Sequence, residues 1–280
     1  LRRPVKIIYD REWSFLESYK RPPYKLNYRL GFRADGRLLG AVVDILADSG
    51  PYTSAVPWST WRSTVQSCGP YRVEHVRTDV RAAATNNPPT GAFRGFGSPQ
   101  VNFCTEILMD QAAEALKIPP LEIRRRNMVV QGSETITGQV LNTHTVSLGQ
   151  VMETVAEEIG FEEKLPRCSF GRPDSEGKLY GIGLAIAYRG ASVGAEARDF
   201  CSCVVNCQFD GSILLETGIH ENGQGAQSAM ILVLTEELGV KRDRIRYAEA
   251  TTSQVPEGGT TVASRGTLMG SAAVHDAVRN

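Results

Sequence analysis

Two Asp-Gly pairs, Asp35-Gly36 and Asp210-Gly211, constrain the fold of this chain more than any other feature. Each sits between stretches in which apolar and polar residues alternate. "KLNYRLGFRADGRLLGAVVDILAD" surrounds the first and "DFCSCVVNCQFDGSILLETG" the second. An Asp-Gly pair accepts the left-handed backbone of a tight turn, so each stretch is expected to be an antiparallel hairpin. The chain shows no regular strand–helix alternation and no internal repeat of fixed period. The fold class is therefore α+β, with mixed and antiparallel sheets and helices packed on them.

Other elements follow from pattern. Pro4–Asp10 reads as a short strand and Tyr71–Thr85 as extended chain. Trp58–Gly69 reads as one or two helical turns ended by Gly69-Pro70. The segment from Ser98 places Val101, Phe103, Ile107, Leu108, Ala112 and Leu116 at helical spacing. Ser98 is its expected cap, with Pro99 at the first helical position, where a missing N–H costs nothing. Pro119–Met128 reads as a second, short helix. Gly132–Thr145 is polar and turn-rich, so domains are expected at 1–131 and 146–280, with a linker at 132–145. A helix follows with Leu148, Val151, Met152, Val155 and Ile159 on one face, then a polar loop over Glu163–Lys178. Tyr180–Gly194 reads as a strand running into a loop. A helix placing Ala226, Met230, Val233 and Leu234 inward, a strand at Asp243–Ala250 and a helix from Thr267 complete the chain.

Composition narrows the function. With 280 residues, 41 % hydrophobic and 22 % charged, the chain can bury a core of more than one domain. Its formal net charge is zero, which argues against a nucleic-acid partner. No apolar run is long enough to span a membrane, and no leader is visible. The first residue is Leu1, as expected of a processed or excised chain. Six cysteines in a chain of this size point to reduced thiols and a cytoplasmic location. Cys201, Cys203 and Cys207 share one face of a strand, where they read as small buried side chains. A zinc site is disfavoured because no cluster completes four ligands. His75, His144, His220 and His275 are scattered and form no ligand pair.

Three glycine-rich loops each lead into a helix: Gly91–Gln100, Gly218–Ala226 and Glu257–Arg265. A helix start offers unpaired N–H groups and the positive end of its dipole, and glycine lets a ligand approach the backbone. None of the three is a phosphate-binding P-loop, a dinucleotide-binding G-x-G-x-x-G turn or a nucleophile elbow. A large phosphate-bearing cofactor gripped by several backbone loops fits them better.

"TNNPPTGAFRGFGSPQ" resembles the A-F-R-G-F-G-x-P-Q loop of the xanthine dehydrogenase and aldehyde oxidase family of molybdenum hydroxylases. "FDGSILLETGIHENGQGAQSAM" is similar to that family's D-G-S and G-Q-G segment, and "EATTSQVPEGGTTVASRGT" to its third loop. The match is colinear from about Pro4 to the end. It implies parts of two molybdopterin-binding domains, carrying molybdenum on molybdopterin, in bacterial members often as the cytosine dinucleotide. On that resemblance Gly223, Gln224 and Gly225 hold the pterin. Arg94 and Gly95 approach the metal centre, and Thr261, Ala263, Ser264 and Arg265 contact the pterin or its phosphates. No side chain ligates the metal directly. Phe93 and Phe96 flank a flat substrate ring.

Arg62 stands where the family's xanthine enzymes carry an arginine that contacts the purine. It is either that residue or a solvated arginine beside a helix end. The implied reaction is oxidative hydroxylation with oxygen from water, a glutamate base, and electrons leaving through iron–sulfur clusters. That glutamate is expected beyond the C-terminus, and the iron–sulfur and flavin modules on other domains or subunits. The chain thus resembles an internal piece of the molybdenum subunit, expected to be inactive alone. The substrate expected is a purine or other N-heterocycle. Aldehydes, nicotinate-like acids and aromatic thioesters stand as alternatives, as do a scaffold that kept the fold and a phosphate-binding protein unrelated to molybdenum. Residues Tyr188–Val193 are expected to help decide the substrate.

Overall fold

The computed structural model describes residues 2–168, 173–193 and 198–280. It divides into two compact units, Leu1–Arg189 and Gly190–Asn280.

In the first unit, β1 (Tyr24–Phe32) and β2 (Leu38–Gly50) form the expected hairpin, with Tyr28 opposite Val43. Gly36 takes the left-handed conformation (φ 84°), and the Arg33 N–H donates to the Arg37 carbonyl at 2.9 Å to close the turn. β3 (His75–Ala84) lies parallel to β2, with Thr78 opposite Val43, giving the order β1-β2-β3. A parallel neighbour needs a crossover, and α2 (Val56–Val65) lies within it. Ala41, Val43 and Ile45 on the inner face of β2 pack with Cys68 and Val101. A second apolar cluster joins Tyr71 to α3 (Ser98–Leu116), α4 (Pro120–Asn127), α5 (Leu148–Glu158) and α6 (Phe161–Lys164) through Met109, Leu121, Met152 and Phe161. Asn127, the last residue of α4, ties back the hairpin. Its Oδ1 accepts from the Leu38 N–H at 2.7 Å, and its Nδ2 donates to the Gly36 carbonyl at 2.8 Å.

Several expectations need correction. Pro4–Asp10 forms no strand, because it has no sheet edge to pair with among the described residues. Instead Asp10 caps a short helix, α1 (Arg11–Glu17), by accepting the Trp13 N–H at 2.8 Å. The cap of α3 is Gly97, not Ser98, whose hydroxyl donates to Gln66 instead. The buried face of α3 is Val101, Thr105, Met109 and Ala113, a four-residue step that leaves Phe103 69 % exposed. Thr105 can sit inside because its hydroxyl donates to the Val101 and Ser67 carbonyls. In α5, Met152 and Ala156 turn inward while Val151 and Val155 face out. The stretch from Tyr180 joins no ladder among the described residues. The Ile186 N–H is satisfied by Glu106 Oε2 at 2.9 Å rather than by a strand. Gly194 of that stretch, and residues 169–172 of the expected polar loop, lie outside the described residues.

The second unit runs in the same order: hairpin, helix, parallel strand. β4 (Cys203–Cys207) and β5 (Ile213–Thr217) pair antiparallel around the Asp210-Gly211 turn, with Val205 opposite Leu215. β6 (Ile245–Tyr247) lies parallel to β5 after the crossover α7 (Ala226–Leu238), and α8 (Arg265–Arg279) follows. Leu215, Met230, Leu234 and Val274 form its core. α8 comes close to α7 at Gly270, where a Cβ would stand 2.8 Å from Met230 Sδ. All six cysteines are free thiols. Cys203 packs against the core of this unit, but Cys207, expected inside, is exposed at the turn end of β4. No helix among the described residues is long and apolar enough to cross a membrane.

Candidate functional site

Each glycine-rich loop is held in its own way. In the first, Gly95, Phe96 and Gly97 are successively left-handed, with φ of 88°, 46° and 88°. Phe96 is the costly member, since a side chain in that region loses about 1–2 kcal/mol. The Phe96 N–H donates to the Phe93 carbonyl at 2.8 Å, and the Ser98 N–H to the Gly95 carbonyl at 3.1 Å. A Cβ on Gly97 would stand 2.2 Å from the Ser59 carbonyl oxygen, and one on Gly95 would stand 2.4 Å from Pro99 Cγ. These two glycines are therefore required by packing against α2 and the start of α3, with no ligand needed to explain them. Ser63 Oγ donates to the Gly97 carbonyl at 3.1 Å and completes the junction with α2.

Phe93 is 53 % exposed, Arg94 is exposed and Phe96 is half-buried. Arg62, on α2, is only 6 % exposed, and its guanidinium carbon lies 5.2 Å from the Trp61 ring centroid. The solvated reading of Arg62 therefore fails. A residue that sequence reasoning missed, Arg21, meets the loop directly. Its guanidinium carbon lies 4.7 Å from the Phe93 ring centroid, and its Nη2 donates to the Arg94 carbonyl at 2.6 Å.

The second loop is organised by Glu221, another residue that sequence reasoning missed. One of its carboxylate oxygens accepts the N–H groups of Gly223 at 2.8 Å and Gly225 at 3.0 Å, and the other accepts that of Gln227 at 3.0 Å. These N–H groups, with that of Gln224, hold the carboxyl below the usual glutamate range. Of the donors at the start of α7, the Gln227 N–H is thus already met from within the loop. Gln224 is folded back as well: its Nε2 donates to the His220 carbonyl and its Oε1 accepts the Asn222 N–H. The available signal was an acidic residue one turn ahead of a helix start.

The third loop is built around Arg265, which is 1 % exposed. Its Nε pairs with Asp199 at 2.5 Å, its Nη1 donates to the Gly258 and Thr260 carbonyls at 2.9 Å each, and its Nη2 donates to the Phe200 carbonyl. Burial pushes the Asp199 carboxyl up, but the Val193 N–H and the Arg265 guanidinium outweigh it and hold it low. Ala263 and Ser264 are both left-handed, with φ of 51° and 58°. The second and third loops meet. The His220 N–H donates to Thr261 Oγ1 at 2.9 Å, and a Cβ on Gly218 would stand 2.6 Å from the Gly258 nitrogen. The predicted residues thus form two groups. Arg62, Phe93, Arg94, Gly95 and Phe96 share the first unit, and Gly223–Gly225 and Thr261–Arg265 share the second.

A cleft of about 790 Å³ in the first unit contains none of these residues. Its charged lining is Arg37, Arg72 and Arg126 with Glu74 and Glu134, a mixed set with one cation in excess. Among the described residues no group of histidines, cysteines or carboxylates could hold a metal ion.

Against known proteins, two family models, each described as a molybdopterin cofactor-binding domain, match residues 1–128 and 154–280. The chain belongs to the molybdopterin cofactor-binding domain family. Among its relatives, a probable xanthine dehydrogenase subunit of Bacillus subtilis is 32 % identical over 95 % of this chain and 35 % of its own length. The nicotinate dehydrogenase large molybdopterin subunit of Eubacterium barkeri is 39 % identical over 58 % of this chain and 39 % of its own length. Among solved structures, the aldehyde oxidoreductase of Desulfovibrio gigas superposes with a TM-score of 0.85 at 28 % identity, covering 97 % of this chain and 29 % of that one. The chain spans between a third and two fifths of the length of these curated relatives.

The residues present fit such a cofactor. Gly223 and Gly225 are left-handed, which by itself favours glycine, and a Cβ on either would meet nothing within 4 Å among the described residues, so the backbone there stands open to an approaching ligand. At the first loop, Arg21 Nη1 and Gln100 Oε1 are shut from solvent without a hydrogen-bond partner among the described residues, a donor and an acceptor that a bound group can satisfy.

Proposed function

We propose that this chain is the central part of the molybdopterin-binding catalytic subunit of a molybdenum hydroxylase that oxidises a purine or another N-heterocycle with oxygen from water. The observation that carries the cofactor reading is the open space at Gly223 and Gly225, in a loop that Glu221 already holds in shape. Gly223, Gln224 and Gly225 lie against the pterin, here in its cytosine dinucleotide form. Thr261, Ala263 and Ser264 present the facing backbone. Arg265 keeps the place given to it at the cofactor, but acts by holding that backbone, since its guanidinium is engaged within its own unit. Arg94 and Gly95 belong to the metal side of the first loop. The bound molybdenum centre supplies the two-electron oxidation and the delivery of oxygen.

Phe93 and Phe96 hold a flat ring by offset and edge-on contact. Arg62, shut from water, stabilises negative charge growing on that ring, an interaction worth more in a dry site than in solvent. The rest of the subunit supplies the general base, and iron–sulfur and flavin partners carry the electrons away. The chain alone neither turns over nor holds the cofactor firmly. We place the linker between sequence domains at 132–145 and the protein in the cytoplasm, in keeping with its free thiols.

A nicotinate-like substrate is the second reading, favoured by the 39 % identity to the nicotinate dehydrogenase subunit. The test is turnover of the complete enzyme on hypoxanthine, nicotinate and an aromatic aldehyde, with and without Arg62→Ala. Purine turnover should fall about a hundredfold or more, as when one charge-stabilising donor is removed, with the aldehyde spared. If the variant loses neither activity, the role of Arg62 is wrong.

A further inference from the structure

Three consecutive residues before β1 grip the first loop. The Lys20 N–H donates to the Pro89 carbonyl at 3.1 Å, and the Lys20 carbonyl accepts the Gly91 N–H at 3.0 Å. The Pro22 carbonyl accepts from Gln100 Nε2 at 3.1 Å. Between them Arg21 reaches the middle of the loop, stacking on Phe93 and bonding the Arg94 carbonyl. Phe93 is more than half exposed, so packing alone does not fix its ring.

We propose that Arg21 is the positioning residue that sets the plane of Phe93, and through it the preference of the site for flat aromatic substrates over aliphatic ones. The proposal rests on the reading above that Phe93 faces substrate. A guanidinium suits this task because one planar group can lie against a ring and donate in its own plane to a carbonyl. A lysine at this position keeps the charge but cannot do both. Arg21 Nη1, with no acceptor among the described residues, is a further donor on the same fork.

The experiment uses the complete enzyme in wild-type, Arg21→Lys, Arg21→Met and Phe93→Leu forms. Each is assayed on an N-heterocycle and on an aliphatic aldehyde, and a ¹⁹F spectrum is recorded with 4-fluorophenylalanine in place of phenylalanine. The Phe93→Leu spectrum assigns the resonance of position 93. In Arg21→Lys, KM for the heterocycle should rise about tenfold with kcat little changed and the aldehyde KM unmoved, the scale of one lost cation–π contact. The resonance should shift toward that of a freely rotating ring. Arg21→Met, which also removes the charge, should behave likewise. An unmoved resonance and an unmoved KM ratio in Arg21→Lys would overturn the proposal, even if Arg21→Met fails to fold. If Phe93→Leu leaves the heterocycle KM unchanged, the substrate-facing reading of Phe93 is what fails. The resonance shift in Arg21→Lys then still decides whether Arg21 sets the ring.

Discussion

Glu221 and Arg265 show how a single side chain shapes a glycine-rich loop from within. The folded-state pKa of Glu221 lies below its ordinary value, so its contribution is full above the usual glutamate pKa of about 4.3. It is lost as pH falls from there through the lowered folded value. Protection factors for amide exchange at Gly223, Gly225 and Gln227, taken relative to the unstructured rate at each pH, should be high at pH 7 and fall in acid, and Glu221→Gln should lower them even at pH 7. Protection independent of pH in the wild type would contradict this. Arg265 and Asp199 form a pair with side-chain exposures of 1 % and 16 %. Arg265→Met leaves Asp199 without its countercharge, and denaturant unfolding should register a loss of about 3–5 kcal/mol in the second unit. Neither role was legible in the sequence. A glutamate near a helix start and an arginine after a serine carry no mark of which backbone atoms they will meet, because those contacts come from the folded loop.

At the scale of elements, the hairpins and long helices were legible because each rests on local chemistry: an Asp-Gly turn, alternation, a four-residue apolar step. The strand expected at Pro4–Asp10 failed because a strand is a property of a pair, and its sequence says nothing about a partner. The inward face of α3 was misread for a related reason. Thr105 and Glu106 are buried on the strength of their hydrogen bonds, which an apolar count overlooks. Glu106 accepts from Tyr71 at 2.5 Å, from Arg124 at 3.0 Å and from Ile186, so it binds α3, α4 and the extended chain together. Burial, with the neighbouring Glu106 carboxylate, pushes the Tyr71 hydroxyl above its ordinary range and keeps it a donor. The glycines of the first loop were read as room for a ligand, yet Gly97 is where α2 and α3 touch. Gly97→Ala, with a left-handed φ and a carbonyl 2.2 Å from the new Cβ, should destabilise the first unit by roughly 2–5 kcal/mol in denaturant unfolding. Gly223→Asn should cost less than about 1 kcal/mol, because asparagine tolerates that conformation and its Cβ meets nothing.

The whole molecule uses one plan twice, a hairpin, a crossover helix and a parallel third strand, without a matching repeat in its sequence. The family was legible in the order of its three glycine loops. Which loop glycines are held by packing was not, because the same residue type serves a tight junction or an open turn, and only coordinates separate the two. Gly95 and Gly97 pack, whereas Gly223 and Gly225 leave space. The central claim is that this space receives the molybdenum cofactor. The direct test is the molybdenum and cytidine content of the complete subunit, purified as wild type and as the double variant Gly223→Asn, Gly225→Asn. The wild-type subunit should carry about one molybdenum and one cytidine, and a variant that still melts as a folded protein less than about a tenth of that, since asparagine keeps the backbone while its side chain fills the space. Full molybdenum in the double variant would contradict it.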